Sequence, residues 1–382
     1  MNATDRNLQL RCDGIRIVGA TMQKVEAARQ GFLGQLNALG LEHYVRTSDG
    51  PYRNQCACRF ELDDELAGQW APDFDTTQLC RKLDLDSAND ADDLEREVLL
   101  AMLRCPIGFD FPDHAELASA VRIRKNIATA ARRTALSFRT SDAERPADCW
   151  TYAKGRGFTV LPGSPLITAL QKATQPDLSG KRYSFSCYRA TEYVILLGVA
   201  QELLRCNPEL FGRLQQQWEK RAIMSGEFHE VFLHEYGSMS EPLPPKYYVP
   251  GDRLWFRNPD DHSSDVTGYE GSWVLYMGGG LFTNFWKRGE PYTLTAKCLE
   301  IFHWRHATYR DAAGALQIDE AVVEARVQSS MNDPVEVERI MRIMLRLRDP
   351  QGVYADGGCI DTSREYPCRI CPGTSELVLP AH

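Results

Sequence analysis

The sequence predicts an α+β fold: a helical half followed by an antiparallel sheet, with an α/β extension in front. Three observations carry this. The row Ala190, Val194, Leu197, Ala200 and Leu204 keeps the three-and-four spacing of a buried helix face. From Tyr247 the pattern changes to short aromatic-rich runs parted by turns: RLWFR at 253–257, WVLYM at 273–277 and LFTNFW at 281–286. Ahead of both, residues 15–22 (IRIVGATM) read as a strand, and 23–39 as an amphipathic helix ended by Gly40. The expected organisation is an extension over 1–106, a main domain over 107–348 and an irregular, cysteine-rich tail over 349–382.

In the extension, residues 44–62 are strand-like with a turn at 48–51 (SDGP). An acidic piece at 84–93 leads into a helix over 94–103, its early acids suited to the positive end of the helix dipole. No chemical motif stands here, so the extension reads as a substrate- or partner-binding layer or as structural cover. Asp113 with Glu116 three residues on resembles a capping box opening the helix HAELASAVRIRKNIATAARR. Its Arg122, Arg124, Lys125, Arg132 and Arg133 read as a solvated face. Residues 140–147 are a loop, and Ser164-Pro165 starts a helix that runs to Lys172. Asn207-Pro208 repeats that signal. Asp252 and Asn258 fix turns on either side of RLWFR. Gly278 to Gly280 is a strand connection rather than a phosphate loop, because neither Lys-Ser/Thr nor a helix follows it. Residues 292–302 are expected to hold a further strand, and 334–347 a closing helix.

The chain has 382 residues, 43% of them apolar, enough for a well-filled core. A net charge of −8 argues against a nucleic-acid backbone as partner. No apolar run is long enough for a membrane span. The N-terminus (MNATDRNLQLRCDG) is polar and lacks the apolar core of a secretory signal. A cytoplasmic location is the default, with signal-independent export left open. Twelve cysteines are scattered along the chain, and without a signal peptide they read as reduced thiols. Cys359, Cys368 and Cys371 form the one cluster. They are free thiols, a local disulfide or, with Cys56 or Cys58, a zinc site.

Cys187 stands at the start of the central helix. Helix N-termini carry unpaired N–H groups and a partial positive charge, which suit a cysteine nucleophile. The plain alternative is a small buried residue at a packing contact. A nucleophile-type Cys on a helix start, followed by an antiparallel sheet, is the papain-like arrangement of thiol hydrolases and transferases.

The blocks FDFPDHAELASAVRIRKNIATAARR, LPGSPLITAL, YSFSCYRAT, PELFGRL, PGDRLWFRNP and YEGSWVLYMGGG follow one another in order, PGDRLWFRNP being the most specific. Through them the chain resembles, over about 109–347, the bacterial spore-coat type protein-glutamine gamma-glutamyltransferase (transglutaminase) family. The resemblance implies a papain-like, transglutaminase-like core with Cys187 as nucleophile. Such an enzyme attacks the carboxamide of a protein Gln, releases ammonia and passes the acyl group to a Lys amine, or to water in deamidation. It implies protein substrates bearing Gln and Lys, with no cofactor and no metal.

Members of the family carry an acid just before the Cys, another in the strand after the NP loop, and a His further on. Here Ser186, Ser272 and Phe285 stand at those positions. Glu270 is the first substitute for the base, since i and i+2 of a strand share a face. His229 (in GEFHE) and His303 are the imidazole candidates, while Glu192 points to another side of the helix. Trp255, Tyr269, Trp273 and Trp286, with Asn284, are expected to line an acyl-donor groove; a place in the sheet core is the plain alternative for each aromatic. Three functional readings follow: protein-glutamine acyl transfer or deamidation through a Cys187 thioester, a catalytically silent binding or assembly module, and a thiol protease or amidase.

Overall fold

The computed structural model describes residues 12–138, 143–349 and 358–380. The polar start of the chain, part of the expected 140–147 loop and part of the tail lie outside these. The first layer holds β1 (Ile15–Gly19), α1 (Met22–Ala38), β2 (Val45–Tyr52), β3 (Gln55–Leu62), α2 (Asp64–Trp70), α3 (Leu79–Leu83), α4 (Ala91–Leu103) and β4 (Phe109–Phe111). Its sheet runs β2-β3-β1-β4, with β1 antiparallel to β3 and parallel to β4. Ile15 and Ile17 pair with Phe60 and Cys58 on one side and with Phe109 and Phe111 on the other, all buried. Val25, Phe32 and Leu36 on one face of α1 cover them. The hairpin turn lies at Arg53-Asn54 rather than at 48–51. Both residues have positive φ (49° and 63°), as two-residue hairpins favour. Gly50 and Pro51 stay in the ladder on the edge strand β2, where a missing N–H is tolerated.

The helical half comprises α5 (His114–Arg133), the hairpin β5 (Trp150–Ala153) and β6 (Gly157–Val160), α6 (Leu166–Thr174), α7 (Pro176–Ser179), α8 (Cys187–Cys206), α9 (Pro208–Lys220) and α10 (Ser225–Phe232). Asp113 caps α5 by accepting from Glu116 N at 2.9 Å. Glu116 does not complete the box. Its buried carboxylate instead accepts from Cys371 N at 2.8 Å and Thr374 Oγ1 at 2.6 Å, holding the tail. Of the basic residues of α5, Arg133 is exposed, but the other four are not a solvated face. Arg124 is buried against Asp252, Arg122 pairs with Glu202, Lys125 pairs with Glu95, and Arg132 donates to the Met277 carbonyl. Helix α5 is thus wrapped on several sides, and its long side chains reach partners the helical period alone does not reveal. Of the expected buried row on α8, Ala190, Val194, Leu197 and Ala200 are buried but Leu204 is exposed. Gly198 admits close packing: a Cβ there would stand 2.6 Å from the Ile127 side chain on α5.

The remaining elements are β7 (Leu233–Tyr236), β8 (Arg253–Arg257), α11 (Asp261–Ser264), β9 (Gly271–Gly278), β10 (Leu281–Phe282), β11 (Tyr292–Thr293), α12 (Leu294–Trp304), β12 (Thr308–Arg310), β13 (Leu316–Ile318), α13 (Glu320–Met331), α14 (Pro334–Met344) and β14 (Arg364–Pro367). A six-stranded sheet runs β11-β10-β9-β8-β14-β7. Alternation along β9 sends Leu275 and Met277 into the core with α8, and Val274 and Tyr276 into the core with α12 and α14. The first layer is tied on by Glu97, whose buried carboxylate accepts from Tyr276 OH at 3.0 Å and Gly279 N at 2.8 Å. Two expectations change. Residues 292–302 are mostly helix α12, begun by Thr293, which accepts from Ala296 N. The tail is not merely irregular: its β14 lies between β8 and β7, pairing Glu365 with Arg253 and Glu235. No helix among the described residues is long and apolar enough to cross a membrane.

Candidate active site

Cys187 is the first residue of α8 and is partly exposed. The approach to it is fixed by backbone bonds. Ser137 N donates to the Tyr183 carbonyl and Phe185 N to the Ser137 carbonyl, both at 3.0 Å. Ser186, at the position of the expected acid, is the N-cap: its Oγ accepts from Arg189 N at 3.2 Å. A serine there stabilises the helix start without supplying a base. The Cys187 thiol makes no hydrogen bond among the described residues.

Its chain neighbour Tyr188 opens an aromatic cluster. Tyr188 meets Trp273 edge-on at 5.2 Å, and Trp273 stacks on Trp255 at 6.0 Å with an interplanar angle of 14°. The fully buried Arg253 lies 4.3 Å from the Tyr188 ring and 4.2 Å from that of Trp273. Its Nε donates to Thr191 Oγ1 and its Nη1 to Glu365 Oε2, each at 2.9 Å. Glu365 Oε1 is 3.0 Å from His229 Nδ1. Arg253, Tyr188 and Thr191 were not among the expected site residues, although the alternation in RLWFR puts Arg253 on the face of Trp255. Glu365 gave no signal, since nothing in the tail's sequence places it in the sheet.

The other expected residues fall elsewhere. Ser272 pairs across the ladder with Phe256 and shares its face with Val274, on the side of the sheet away from α8. A carboxylate at 272 would therefore point away from Cys187. Phe285 is buried in the α8 core, and its carbonyl accepts from Leu136 N at 2.7 Å. The exposed Glu270 carboxylate accepts from Gly268 N at 3.1 and 3.2 Å, closing a local turn. Tyr269 bonds Glu320 at 2.9 Å and packs on Trp304, with the helices of the far face. Asn284 bonds the Glu290 carbonyl at 3.0 Å and accepts from Lys287 N at 3.2 Å, fixing its loop. Trp286 packs on Phe138, and its carbonyl accepts from Arg182 on the segment leading into Cys187. Glu192 is buried in a 2.6 Å pair with Arg189.

His303 lies within α12 on the far face of the sheet, bonded to Ser330 Oγ at 2.8 Å and beside His306 at 3.1 Å. Burial, then the neighbouring His306 and Arg326, lower its pKa to about 4. The neutral form is the one the fold holds, so the unfolded chain takes up the proton first. Stability from this group is complete above about pH 6.5 and is lost as pH falls through about 4. Urea midpoints measured from pH 7 to 4 should fall less steeply for His303→Gln than for the wild type. Parallel curves would show that His303 contributes nothing to that slope.

A family model described as protein-glutamine gamma-glutamyltransferase matches residues 75–356. The chain therefore belongs to the protein-glutamine gamma-glutamyltransferase family. No curated protein matches it. Among solved structures it is similar to the transglutaminase from Geobacillus stearothermophilus (without C-terminal extension), at 18% identity and a TM-score of 0.37. That likeness covers 56% of this chain and 98% of the other.

Proposed function

We propose that the protein acts on glutamine side chains of other proteins through a thioester at Cys187, on a papain-like core over 107–348. The observation that carries this reading is the position of Cys187: partly exposed, at the first turn of a 20-residue helix that is buried from Ala190 to Ala200, with its chain neighbour Tyr188 packed on Trp273. The sulfur attacks the glutamine carboxamide carbon. The tetrahedral intermediate then expels ammonia, leaving the acyl group on sulfur, and a Lys amine or water displaces the thiol. The partial positive charge at the start of α8 faces the oxyanion that forms. Tyr188, Trp273 and Trp255 supply a flat apolar surface for the stem of the glutamine side chain. Of the proposed base candidates, only His229, through Glu365 and Arg253, belongs to the network on the α8 side of the sheet.

A second reading has its own support. Glu270 is turned to Gly268, Ser272 faces the other way and Phe285 is buried, so the same aromatic surface would bind a glutamine-bearing protein without turnover. One experiment separates the two. Wild-type protein is incubated with a Gln-bearing protein and a fluorescent primary amine, and both label and released ammonia are followed. Acyl transfer requires both signals, with a fall of at least about 1000-fold in Cys187→Ala. Retention of label in Cys187→Ala would rule out the thioester. Absence of label and ammonia from the wild type, with Gln-protein binding unchanged by Cys187→Ala, would establish the silent reading instead.

A further inference from the structure

Away from Cys187, two pairs of thiols meet across the fold, and both join residues 358–380 to the body of the protein. Cys298 Sγ on α12 lies 3.6 Å from Cys359 Sγ, and both side chains are fully buried. The Cys359 backbone is held on both sides, its N–H by the Met344 carbonyl at 3.0 Å and its carbonyl by Arg257 N at 2.8 Å. Cys206, the last residue of α8, lies beside Cys371, whose thiol donates to the Ala115 carbonyl at 3.7 Å. Both line a surface cavity of about 390 Å³ together with Arg122 and Arg205. Cys371 is anchored in turn through its N–H by the Glu116 carboxylate at 2.8 Å. The two pairs bracket β14, with Cys359 before it and Cys371 after it. That strand delivers Glu365 to Arg253 and His229.

We infer that Cys206–Cys371 and Cys298–Cys359 are disulfide-forming sites, oxidised in the folded protein by a low-molecular-weight disulfide so that β14 is fastened covalently into the sheet. The chemistry balances. A thiolate of the pair attacks the small disulfide, forms a mixed disulfide and releases one small thiol. The second thiol of the pair loses its proton, attacks the protein sulfur of the mixed disulfide and displaces the other small thiol. Two protein thiols are oxidised and one small disulfide is reduced. For Cys298 and Cys359 the sulfurs, 3.6 Å apart, must approach by about 1.5 Å to reach bonding distance, and because both are fully buried the small disulfide reaches them through local opening of the fold. Cys206 is the point of entry: it is partly exposed, and the neighbouring Cys371 thiol holds its own below the usual pKa. The neighbouring Cys206 thiol, and then burial, push the Cys371 thiol up, so it serves as the resolving partner.

The test uses the folded full chain incubated with oxidised glutathione, after which remaining thiols are alkylated and an unreduced digest is mapped by mass spectrometry. A peptide linking Cys206 to Cys371 is expected first and one linking Cys298 to Cys359 more slowly, each lighter by two hydrogens. The thermal midpoint should rise and return on adding reductant, and Cys206→Ser should lose only the first link. Alkylated thiols at all four positions, links to other cysteines, or glutathione retained on Cys206 without a link would overturn the assignment. Formation of one link alone would overturn it for the other pair.

Discussion

Replacing Asp252 by alanine is expected to remove about 3–5 kcal/mol of folding stability, because it strands a buried cation. Arg124 and Asp252 are both buried and meet at 2.7 Å. The other Asp252 oxygen accepts from Tyr236 OH and from Val249 N at 2.8 Å, so one carboxylate serves a strand, a turn and a helix. In the variant, Arg124 keeps only the Pro250 carbonyl at 3.3 Å and the rings of Phe109 and Tyr366, each 5.3 Å away. Whole-domain stabilities are about 5–15 kcal/mol, so the variant should be partly unfolded at 37 °C. Urea unfolding measures the difference directly. A change below about 1 kcal/mol would mean that water reaches Arg124 and that the pair is not the buried unit described. Asp252→Asn should fall between the two, keeping the turn and losing the charge.

Arg253→Met is expected to lower stability by about 3 kcal/mol and to disorganise the aromatic cluster of Tyr188 and Trp273. Methionine fills much of the volume, so the loss is mainly that of the cation. Glu365 is then left with His229 alone, Thr191 Oγ1 loses its donor, and the rings of Tyr188 and Trp273 lose the charge between them. Tryptophan fluorescence should change with the stability, because Trp273 and Trp255 stack on each other. The double variant Arg253→Met with Glu365→Gln should recover part of the loss, since no unpaired carboxylate remains. Strict additivity of the two substitutions would show that the ion pair is not what couples them. If acyl transfer is found in the wild type, it should fall in Arg253→Met by more than the folded fraction accounts for.

Local signals in this sequence were readable where a residue's role depends on near neighbours. The buried face of α8, Asp113 as the cap of α5, Asn207 with Pro208 opening α9, and RLWFR as a strand all follow from spacing and side-chain chemistry. The family was legible too, because several short blocks kept their order. What failed depends on contacts distant in sequence. Arg124 looks like any helix-surface arginine until β8 arrives with Asp252, 128 residues later. Glu116 looks like the second half of a capping box until Cys371 competes for it. Glu270 looked well placed by the period of a strand, yet it precedes β9, where the backbone bends and its carboxylate turns back on Gly268. Ser272 and Phe285 were singled out by alignment to a pattern, and pattern position does not fix which face of a sheet a residue occupies.

The place of β14 has a consequence for how the protein is made. Glu365 pairs with Arg253, 112 residues earlier, and through Glu235 with β7, so the sheet has a vacant slot while β7 and β8 are already synthesised. Until residues 364–367 are made, β7 and β8 lack the strand that lies between them in the finished sheet. Closure of so distant a contact is slow compared with the local helices. The growing chain is therefore most vulnerable to pairing with a neighbour between the emergence of β8 and that of β14, an interval of more than a hundred codons.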